Sequence, residues 1–355
     1  MARAILDWQA QHGRQGLPWQ GTHDPYRVWL SEVMLQQTQV VTVLQYYPRF
    51  LLRFPDVASL AAAPLDDVLA LWSGLGYYSR ARNLHRCAVA VVDNFGGQFP
   101  KRAQLLQTLP GIGRSTAAAI AAFCFGERVA ILDANVKRVL TRVLGFAHDL
   151  AQSAHERALW QLATDALPTA ALAKARASSL ARVMPRHTQG MMDLGATVCT
   201  PRKPACVRCP LAHLCVAHAQ GQAENYPVKT RTLKRSSQAL WLLRANRPDG
   251  SVYLQQRPTP GVWAGLYSLP MYESRQALMD SLKPAQQQRC FDHPAFLHVL
   301  THKDMHLHVV DLAWTQRAAP QGEGQWCAAE ALAQVGLPAP IRKLLSHSPV
   351  NGLVR

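Results

Sequence analysis

Four cysteines crowd into a short segment past the middle of the chain, and any fold must bring them together. Their spacing is C-x6-C-x2-C-x5-C, set by Cys199, Cys206, Cys209 and Cys215. This density favours one metal centre over four unrelated buried cysteines. Zinc and iron–sulfur clusters both accept four thiolates, so ligand type alone leaves the two open. The intervening loop also carries three cations suited to phosphate groups: Arg202, Lys203 and Arg208.

The charge balance indicates a polyanionic partner. The 355 residues include 38 Lys and Arg against 22 Asp and Glu, a net charge of +16. Such an excess favours nucleic acid over a membrane surface, although a basic surface can also serve solubility alone. The first residues lack the apolar core of a signal peptide, and no run of about 18 apolar residues occurs. We therefore expect a cytoplasmic, nucleoid-associated protein with no membrane partner.

Apolar periodicity divides the chain into two domains. Residues 1–220 have the 3.6-residue period of helices, and residues 221–237 are polar and basic, as in a linker. Residues 238–355 mix strand and helix patterns, which predicts a smaller α+β domain. The expected strands are 238–246, 251–256, 296–300 and 306–314, and the expected helices are 275–288 and 328–346.

A glycine-rich turn separates two helical stretches at about residues 105–125. Gly111 and Gly113 let the backbone turn tightly, and we expect the next helix to begin at Ser115-Thr116. The free N–H groups of that helix would suit a DNA phosphate, although a helix–turn–helix corner without a ligand is an equal alternative.

Several segments together resemble one family. LPGIGRSTAAAI (109–120) resembles the helix–hairpin–helix of the endonuclease III superfamily, and the cysteine spacing is similar to its 4Fe–4S loop, here 199–215. Four further segments resemble the MutY family of adenine DNA glycosylases: SEVMLQQTQV (31–40), LWSGLGYYSRARNL (71–84), ILDANVKRVL (131–140) and MMDLGA (191–196). The resemblance implies one 4Fe–4S cluster on the four cysteines. It also implies a monomer that acts on double-stranded DNA containing adenine opposite 8-oxoguanine or guanine.

Two carboxyl groups are the candidate catalysts. Asp133 follows an apolar run and precedes a helix, where capping alone would explain it. Glu32 lies in a helix that Asp24-Pro25 begins, among mostly apolar neighbours that would raise its pKa, although a partly exposed glutamate fits equally. The resemblance implies that protonated Glu32 is the general acid and that anionic Asp133 stabilises the positive sugar. It also implies that Asn135 and Lys137 orient this region.

Two positions distinguish branches of the superfamily or depart from its pattern. Lyase-competent relatives carry lysine at the position of Ser115, and a serine cannot form a Schiff base. We therefore expect a monofunctional glycosylase. The alternatives are an endonuclease III-type glycosylase and lyase, or a non-catalytic iron–sulfur DNA-binding protein.

Ala134 stands where the family usually has glycine. This departure puts in doubt any need for a positive φ at that position.

Adenine in a duplex must be flipped out before it can be cut, and other side chains must support the opened site. By resemblance, Gln37 and Tyr77 insert beside the damaged guanine with Gln36 nearby, although Tyr77 could simply pack on the next helix. Arg80 and Arg82 are expected to hold phosphates. The residues expected to line the adenine pocket are Trp19 and Gln189.

The C-terminal part resembles the MutT-like recognition domain of the family, most clearly at GVWAGLYSLP (261–270). After residue 240 the only glutamates are Glu273, Glu323 and Glu330, too scattered for the Mg²⁺-holding helix of a pyrophosphohydrolase. We expect this domain to bind rather than hydrolyse. The family reads 8-oxoguanine through a Phe-Ser-His turn, to which the segment Leu300-Thr301-His302 corresponds.

Overall fold

The chain forms two compact units. The computed structural model describes residues 1–230 and 234–346. Within these ranges, residues 1–62 and 83–230 make unit 1, and residues 63–82 with 234–346 make unit 2. In the described ranges, no helix combines the length and the apolarity that crossing a membrane requires.

Unit 1 is helical, as predicted. Its helices are α1 (Ala2–His12), α2 (Pro25–Leu35), α3 (Val40–Arg53), α4 (Val57–Ala62), α7 (Ala103–Leu106), α8 (Arg114–Phe125), α9 (Ala134–Leu144), α10 (Ser153–Asp165), α11 (Ala170–Ala175), α12 (Leu180–Thr197) and α13 (Val216–Ala219). Helix α6 (Ser79–Phe95) crosses the boundary between the units, and α5 (Leu65–Trp72) belongs to unit 2. One apolar core joins α8, α9, α10 and α12 through residues such as Ala118, Val139, Leu159 and Leu194.

Local sequence signals begin and end the helices that matter for the site. The Asp24 side chain accepts a hydrogen bond from the Tyr26 N–H and caps α2, as predicted, with Pro25 in the first turn. Helix α9 ends at Gly145, whose φ of 61° lies in the left-handed region that favours glycine. A Cβ at Gly145 would also meet Val216 at 2.6 Å, so a side chain there would clash as well.

Unit 2 contains a mixed sheet. The strands are β1 (Ser236–Asn246), β2 (Val252–Gln256), β3 (Tyr267–Ser268), β4 (Met271–Tyr272), β5 (Phe291–Asp292), β6 (Phe296–Val299), β7 (Lys303–Ala313) and β8 (Gln325–Cys327). The main path runs β3-β2-β1-β7-β5, with β1 and β7 parallel from the pair Ser236 and Lys303 to the pair Asn246 and Ala313. Strands β4, β6 and β8 pair antiparallel with β1, β7 and β2 respectively.

All four predicted strands occur, whereas both predicted helices are interrupted. The segment expected as helix 275–288 forms α14 (Arg275–Asp280) and α15 (Pro284–Gln287), because Pro284 starts a new helix and cannot continue the first. The segment 328–346 forms a 3₁₀ helix (Ala329–Gln334) and then α16 (Ala339–Ser346). Pro338 lies between these elements, and Pro340 occupies the first turn of α16.

Residues 63–82 group with unit 2, although the sequence analysis assigned them to the helical domain. Hydrogen bonds to the C-terminal segment explain this. The Ser73 hydroxyl donates to the Leu337 carbonyl at 2.7 Å and accepts from the Arg342 Nε at 2.9 Å. The Tyr78 hydroxyl donates to the same Leu337 carbonyl at 3.2 Å. Such contacts between segments far apart in the chain leave no trace in local periodicity.

A buried ion pair crosses the centre of the sheet. Arg244 of β1 and Asp311 of β7 are register partners, and each is only 8% exposed. The Arg244 Nε donates to the Asp311 Oδ1 at 2.6 Å, and His293 Nε2 lies 2.9 Å from Oδ2. Two charges in a buried position are tolerated when each has such partners.

Replacing Arg244 by methionine should lower the free energy of unfolding of unit 2 by about 3 kcal/mol, because Asp311 would remain buried without its cation. The exposed pair of Arg275 and Asp292 provides the control. Arg275→Met should lower the same free energy by about 1 kcal/mol or less. Chemical denaturation followed by tryptophan fluorescence measures both, and equal losses would contradict the burial argument.

Candidate active site

One large cleft in unit 1 collects most of the predicted catalytic residues. Its volume is about 1330 Å³. Its walls are the segment before α2, the α2 helix, the start of α8, the start of α9 and one face of α12. The predicted site residues that line it are Trp19, Glu32, Gln36, Gln37, Ser115, Asp133, Asn135 and Gln189. The sequence therefore identified residues far apart in the chain that share one cleft.

Glu32 has the environment of a protonated acid. Its helix neighbours Val28 and Trp29 are 4% and 0% exposed. Burial, and to a smaller extent the negative charge of Asp133, raise the pKa of Glu32 to about 8. This rise agrees with the desolvation expected from the sequence and favours the acid form at neutral pH.

Asp133 has a different environment in the same cleft. Its side chain accepts a hydrogen bond from the Val136 N–H at 2.7 Å and caps α9, as predicted. Burial is the largest influence and raises the pKa of Asp133 above its ordinary value. The backbone N–H groups of Val136 and Asn135 and the charge of Arg138 oppose that rise, because they favour the anion. Ala134 is simply the first residue of α9, so the alanine fits without strain.

Arg138 holds the start of α9 in place. Its guanidinium donates from Nη2 to the Asn135 Oδ1 at 2.8 Å and to the Gly195 carbonyl at 2.6 Å. Its Nε donates to the Cys199 carbonyl at 2.7 Å. A Cβ at Gly195 would meet the Asn135 Cβ at 2.6 Å, so only glycine allows this approach of α12 to α9. The role of Arg138 was not predicted, although Arg138 lies in the segment ILDANVKRVL (131–140), because two of its partners, Gly195 and Cys199, come from another segment.

Ser115 connects the hairpin helix to the segment that precedes Asp133. Its hydroxyl accepts a hydrogen bond from the Leu132 N–H at 3.1 Å, one residue before Asp133. The helix begins at Arg114, one residue earlier than predicted, with Gly113 as its N-cap. Gly111 has a φ of +75°, and a Cβ there would meet Asn83 at 2.6 Å. The hairpin therefore needs this glycine for two independent reasons.

A second group of side chains shapes the far wall of the cleft. Trp19 is 8% exposed and packs edge-on against Tyr47 at 5.4 Å between ring centroids. The Gln189 Nε2 donates to the Asp193 Oδ1 at 2.9 Å, and the Arg14 Nε donates to the same oxygen at 2.7 Å. Asp193 and Arg14 were not predicted. The available signal was an aspartate four residues after Gln189 in a largely apolar helix.

Both predicted wedge residues adopt unusual backbone geometry. Gln37 has a φ of 55° and Tyr77 a φ of 47°, in the left-handed region that side chains other than glycine rarely adopt. Both side chains are exposed, Tyr77 to 45%. Gln36, in contrast, reaches back to the Thr116 hydroxyl at 3.5 Å. Backbone strain at exposed residues is typical of positions that bind a ligand or a partner.

Three of the predicted DNA-contacting cations already have partners. The Arg80 Nη2 donates to the carbonyls of Leu75 and Gly76, both at 3.2 Å, and burial lowers the pKa of Arg80 to about 10. The Arg82 Nη1 donates to the Ala264 carbonyl at 2.6 Å. Lys137 pairs with Glu156. A phosphate would have to compete with these bonds, so their predicted DNA contacts remain predictions.

The four clustered cysteines border one small cavity beside α9. Burial raises the pKa of the Cys209 thiol to about 11, and repulsion from the other three sulfurs acts in the same direction. A cationic metal centre reverses that repulsion, so the donor set fits an iron–sulfur group. The Arg142 Nη1 also donates to the Cys199 Sγ at 3.3 Å. The three cations of this loop, Arg202, Lys203 and Arg208, are exposed.

The segment Leu300-Thr301-His302 forms the turn between β6 and β7 in unit 2. The Leu300 N–H donates to the Lys303 carbonyl at 2.8 Å and closes the turn. The hydroxyl oxygens of Thr301 and Tyr77 lie 2.8 Å apart. Two residues expected to contact the base opposite the adenine are therefore neighbours within one unit.

Comparisons with protein families match three parts of the chain. Residues 30–164 match the HhH-GPD superfamily of base excision DNA repair proteins, residues 199–215 match the iron–sulfur binding domain of endonuclease III, and residues 240–347 match the NUDIX domain. The predicted helix–hairpin–helix domain, iron–sulfur loop and MutT-like domain are confirmed. The protein holds an iron–sulfur cluster of the endonuclease III type, which confirms the predicted cofactor.

Individual relatives extend this similarity over the full chain. An adenine DNA glycosylase of Buchnera aphidicola subsp. Acyrthosiphon pisum is 32% identical, covering 99% of this chain and 98% of its own. An adenine DNA glycosylase of Mus musculus is 33% identical over 96% of this chain and 76% of its own. The solved structure of a thermostable thymine-DNA glycosylase has a TM-score of 0.52 and 27% identity, covering 62% of this chain and 95% of that one. The chain therefore belongs to the adenine DNA glycosylase family.

Proposed function

We propose that this enzyme hydrolyses the N-glycosidic bond of adenine in duplex DNA where adenine lies opposite 8-oxoguanine or guanine. One observation carries the proposal: a single cleft contains a protonated carboxyl, Glu32, and a carboxyl that helix N–H groups hold, Asp133. A protein that only binds DNA needs neither group. Family membership supports the same activity.

The adenine must first leave the base stack, at a cost of a few kcal/mol. Gln37 and Tyr77, with their preset backbone geometry, occupy the space around the remaining base. The extruded adenine enters the cleft beside Trp19 and Gln189. The exposed cations of the cysteine loop and the N-terminus of α8 at Gly113 bind phosphates.

Glu32 then donates its proton to N7 of adenine. The bond between C1′ and N9 breaks, and its electron pair leaves with the base, which departs neutral because of the added proton. The sugar becomes positively charged at C1′. Asp133, with Asn135 beside it, stabilises this charge, and water adds to C1′ to give an abasic site.

Ser115 limits the reaction to hydrolysis. Its hydroxyl is already engaged with the Leu132 N–H, and it carries no amine for a Schiff base. We propose, as the family resemblance implies, that the enzyme works as a monomer and that it does so at the nucleoid. We also propose that the cluster ligands are Cys199, Cys206, Cys209 and Cys215. The cluster, when bound, ties this loop together so that it presents its cations to DNA.

Unit 2 is proposed to read the opposing base without hydrolysing it. 8-Oxoguanine offers an N7–H donor and an O8 acceptor where guanine has only the N7 acceptor. The Thr301 hydroxyl can bond to either new group, and the nearby Tyr77 hydroxyl fixes its position. His302 and Leu300 flank it in the same turn.

The rate of adenine release should fall as pH rises through about 8, because the acid form of Glu32 exists only below its pKa. Single-turnover rates on a duplex with adenine opposite 8-oxoguanine measure this. Glu32→Gln should slow release by about 10²–10⁴-fold. Asp133→Asn should also slow it, and should move the remaining inflection to lower pH since the charge that raises the pKa of Glu32 is gone. An inflection that persists in Glu32→Gln would contradict this assignment.

The wild-type enzyme should leave the DNA strand intact until alkali is added. Borohydride should trap no covalent complex, because no amine occupies position 115. Ser115→Lys serves as the matched positive control, and we expect it to gain a borohydride-trapped complex. Strand cleavage by the wild type before alkali treatment would instead favour the lyase alternative.

Thr301→Val should reduce the preference for adenine opposite 8-oxoguanine over adenine opposite guanine by about tenfold, the value of one hydrogen bond. Tyr77→Phe should act in the same direction, because the two hydroxyl groups are partners. The exposed Thr315 in the same unit provides the control Thr315→Val, which should leave the preference unchanged. An unchanged preference in Thr301→Val would remove this turn from recognition.

A further inference from the structure

We propose that Asp193 determines which base the cleft accepts, by fixing the Gln189 amide with its oxygen toward the cleft. The proposal rests on the proposed function and identifies a residue that acts through another. Asp193 is a positioning residue, since Gln189 and not Asp193 lines the cleft.

Asp193 is fully buried, with 0% of its surface exposed, and both of its oxygens are occupied. The Oδ2 accepts from the Arg14 backbone N–H at 3.0 Å. The Oδ1 accepts from the Arg14 Nε at 2.7 Å and from the Gln189 Nε2 at 2.9 Å. Gln189 lies one helical turn before Asp193 in α12, so the two side chains share a face.

The chemistry of these groups leaves one orientation of the amide. A carboxylate paired with arginine only accepts hydrogen bonds, so Gln189 must turn its NH₂ group toward Asp193. The amide oxygen is then on the side that faces the cleft. That oxygen can accept a hydrogen bond from the exocyclic 6-amino group of adenine. A base with a carbonyl at position 6 would place two acceptors together, which is repulsive.

A second role for Asp193 has to be separated from this one. Through Arg14, Asp193 also anchors the segment before α2. The Arg14 carbonyl accepts from the Gln20 Nε2 at 3.1 Å, next to Trp19. Loss of that anchor would disturb the cleft for every base, whereas loss of the amide orientation would affect only bases that differ at position 6.

The test compares single-turnover release of three bases opposite 8-oxoguanine: adenine, purine without the 6-amino group, and hypoxanthine with a 6-carbonyl. Asp193→Asn removes one acceptor oxygen, so the Gln189 amide is no longer held in one orientation. Gln189→Met removes the amide at nearly constant size. Arg14→Gln keeps the Asp193 side chain and weakens the anchor, and because Arg14 also lines the cleft, this variant reports a general loss of cleft shape. Circular dichroism and the visible absorbance of the cluster check that each variant folds.

We expect the ratio of adenine to purine release to fall by about tenfold in Asp193→Asn and Gln189→Met, the effect of one hydrogen bond. Hypoxanthine release should rise relative to adenine in Asp193→Asn. Arg14→Gln should slow all three bases together. An unchanged adenine-to-purine ratio in Gln189→Met, or equal loss for every base in Asp193→Asn, would overturn the inference. A folded wild type that releases no adenine would instead overturn the proposed function.

Discussion

Two half-buried carboxyl groups that line one cleft cannot both be ionised without a penalty, and the site is organised by that constraint. The chain resolves it by giving the groups unequal partners. Asp133 sits at a helix N-terminus among N–H donors and near Arg138, whereas Glu32 lies among the apolar residues of α2. Burial is the larger cause of the raised pKa of Glu32, and a negative charge on Asp133 adds to it, so the proton is favoured on Glu32. Because both side chains end in a carboxyl group, the different protonation states proposed for Glu32 and Asp133 come from their surroundings.

Helix α9 relates the cleft to the cysteine loop. It starts at the cap residue Asp133, and its next two turns supply Arg138 and Arg142. Arg138 spans the Asn135 side chain, the Gly195 carbonyl and the Cys199 carbonyl, while Arg142 reaches the Cys199 sulfur and the loop carbonyls beyond it. Asp133 and the cysteine loop are therefore both held by helix α9.

The sequence predicted what is local and missed what is tertiary. Helix caps at Asp24 and Asp133, the hairpin glycines and the strands of unit 2 follow from short-range patterns, and the structure contains them. The motif resemblance predicted that Glu32, Asp133 and Gln189 act on one base, and the structure places all three along one cleft. The resemblance assigned no role to Asp193, because the hydrogen bonds of Asp193 come from Arg14, which is far away in the sequence. Residues 63–82 lie within the HhH-GPD match, and they group with unit 2 by contacts because of hydrogen bonds to Leu337 and Arg342.

Gln37 and Tyr77 hold a backbone conformation that glycine or asparagine would adopt more easily. Selection for a more heat-resistant protein would therefore favour glycine or asparagine at both positions, and such changes would remove the side chains proposed to fill the space beside a displaced base. Screens for thermostable variants should leave these two positions unchanged, because a substitution that stabilises the folded state there would lower the proposed activity.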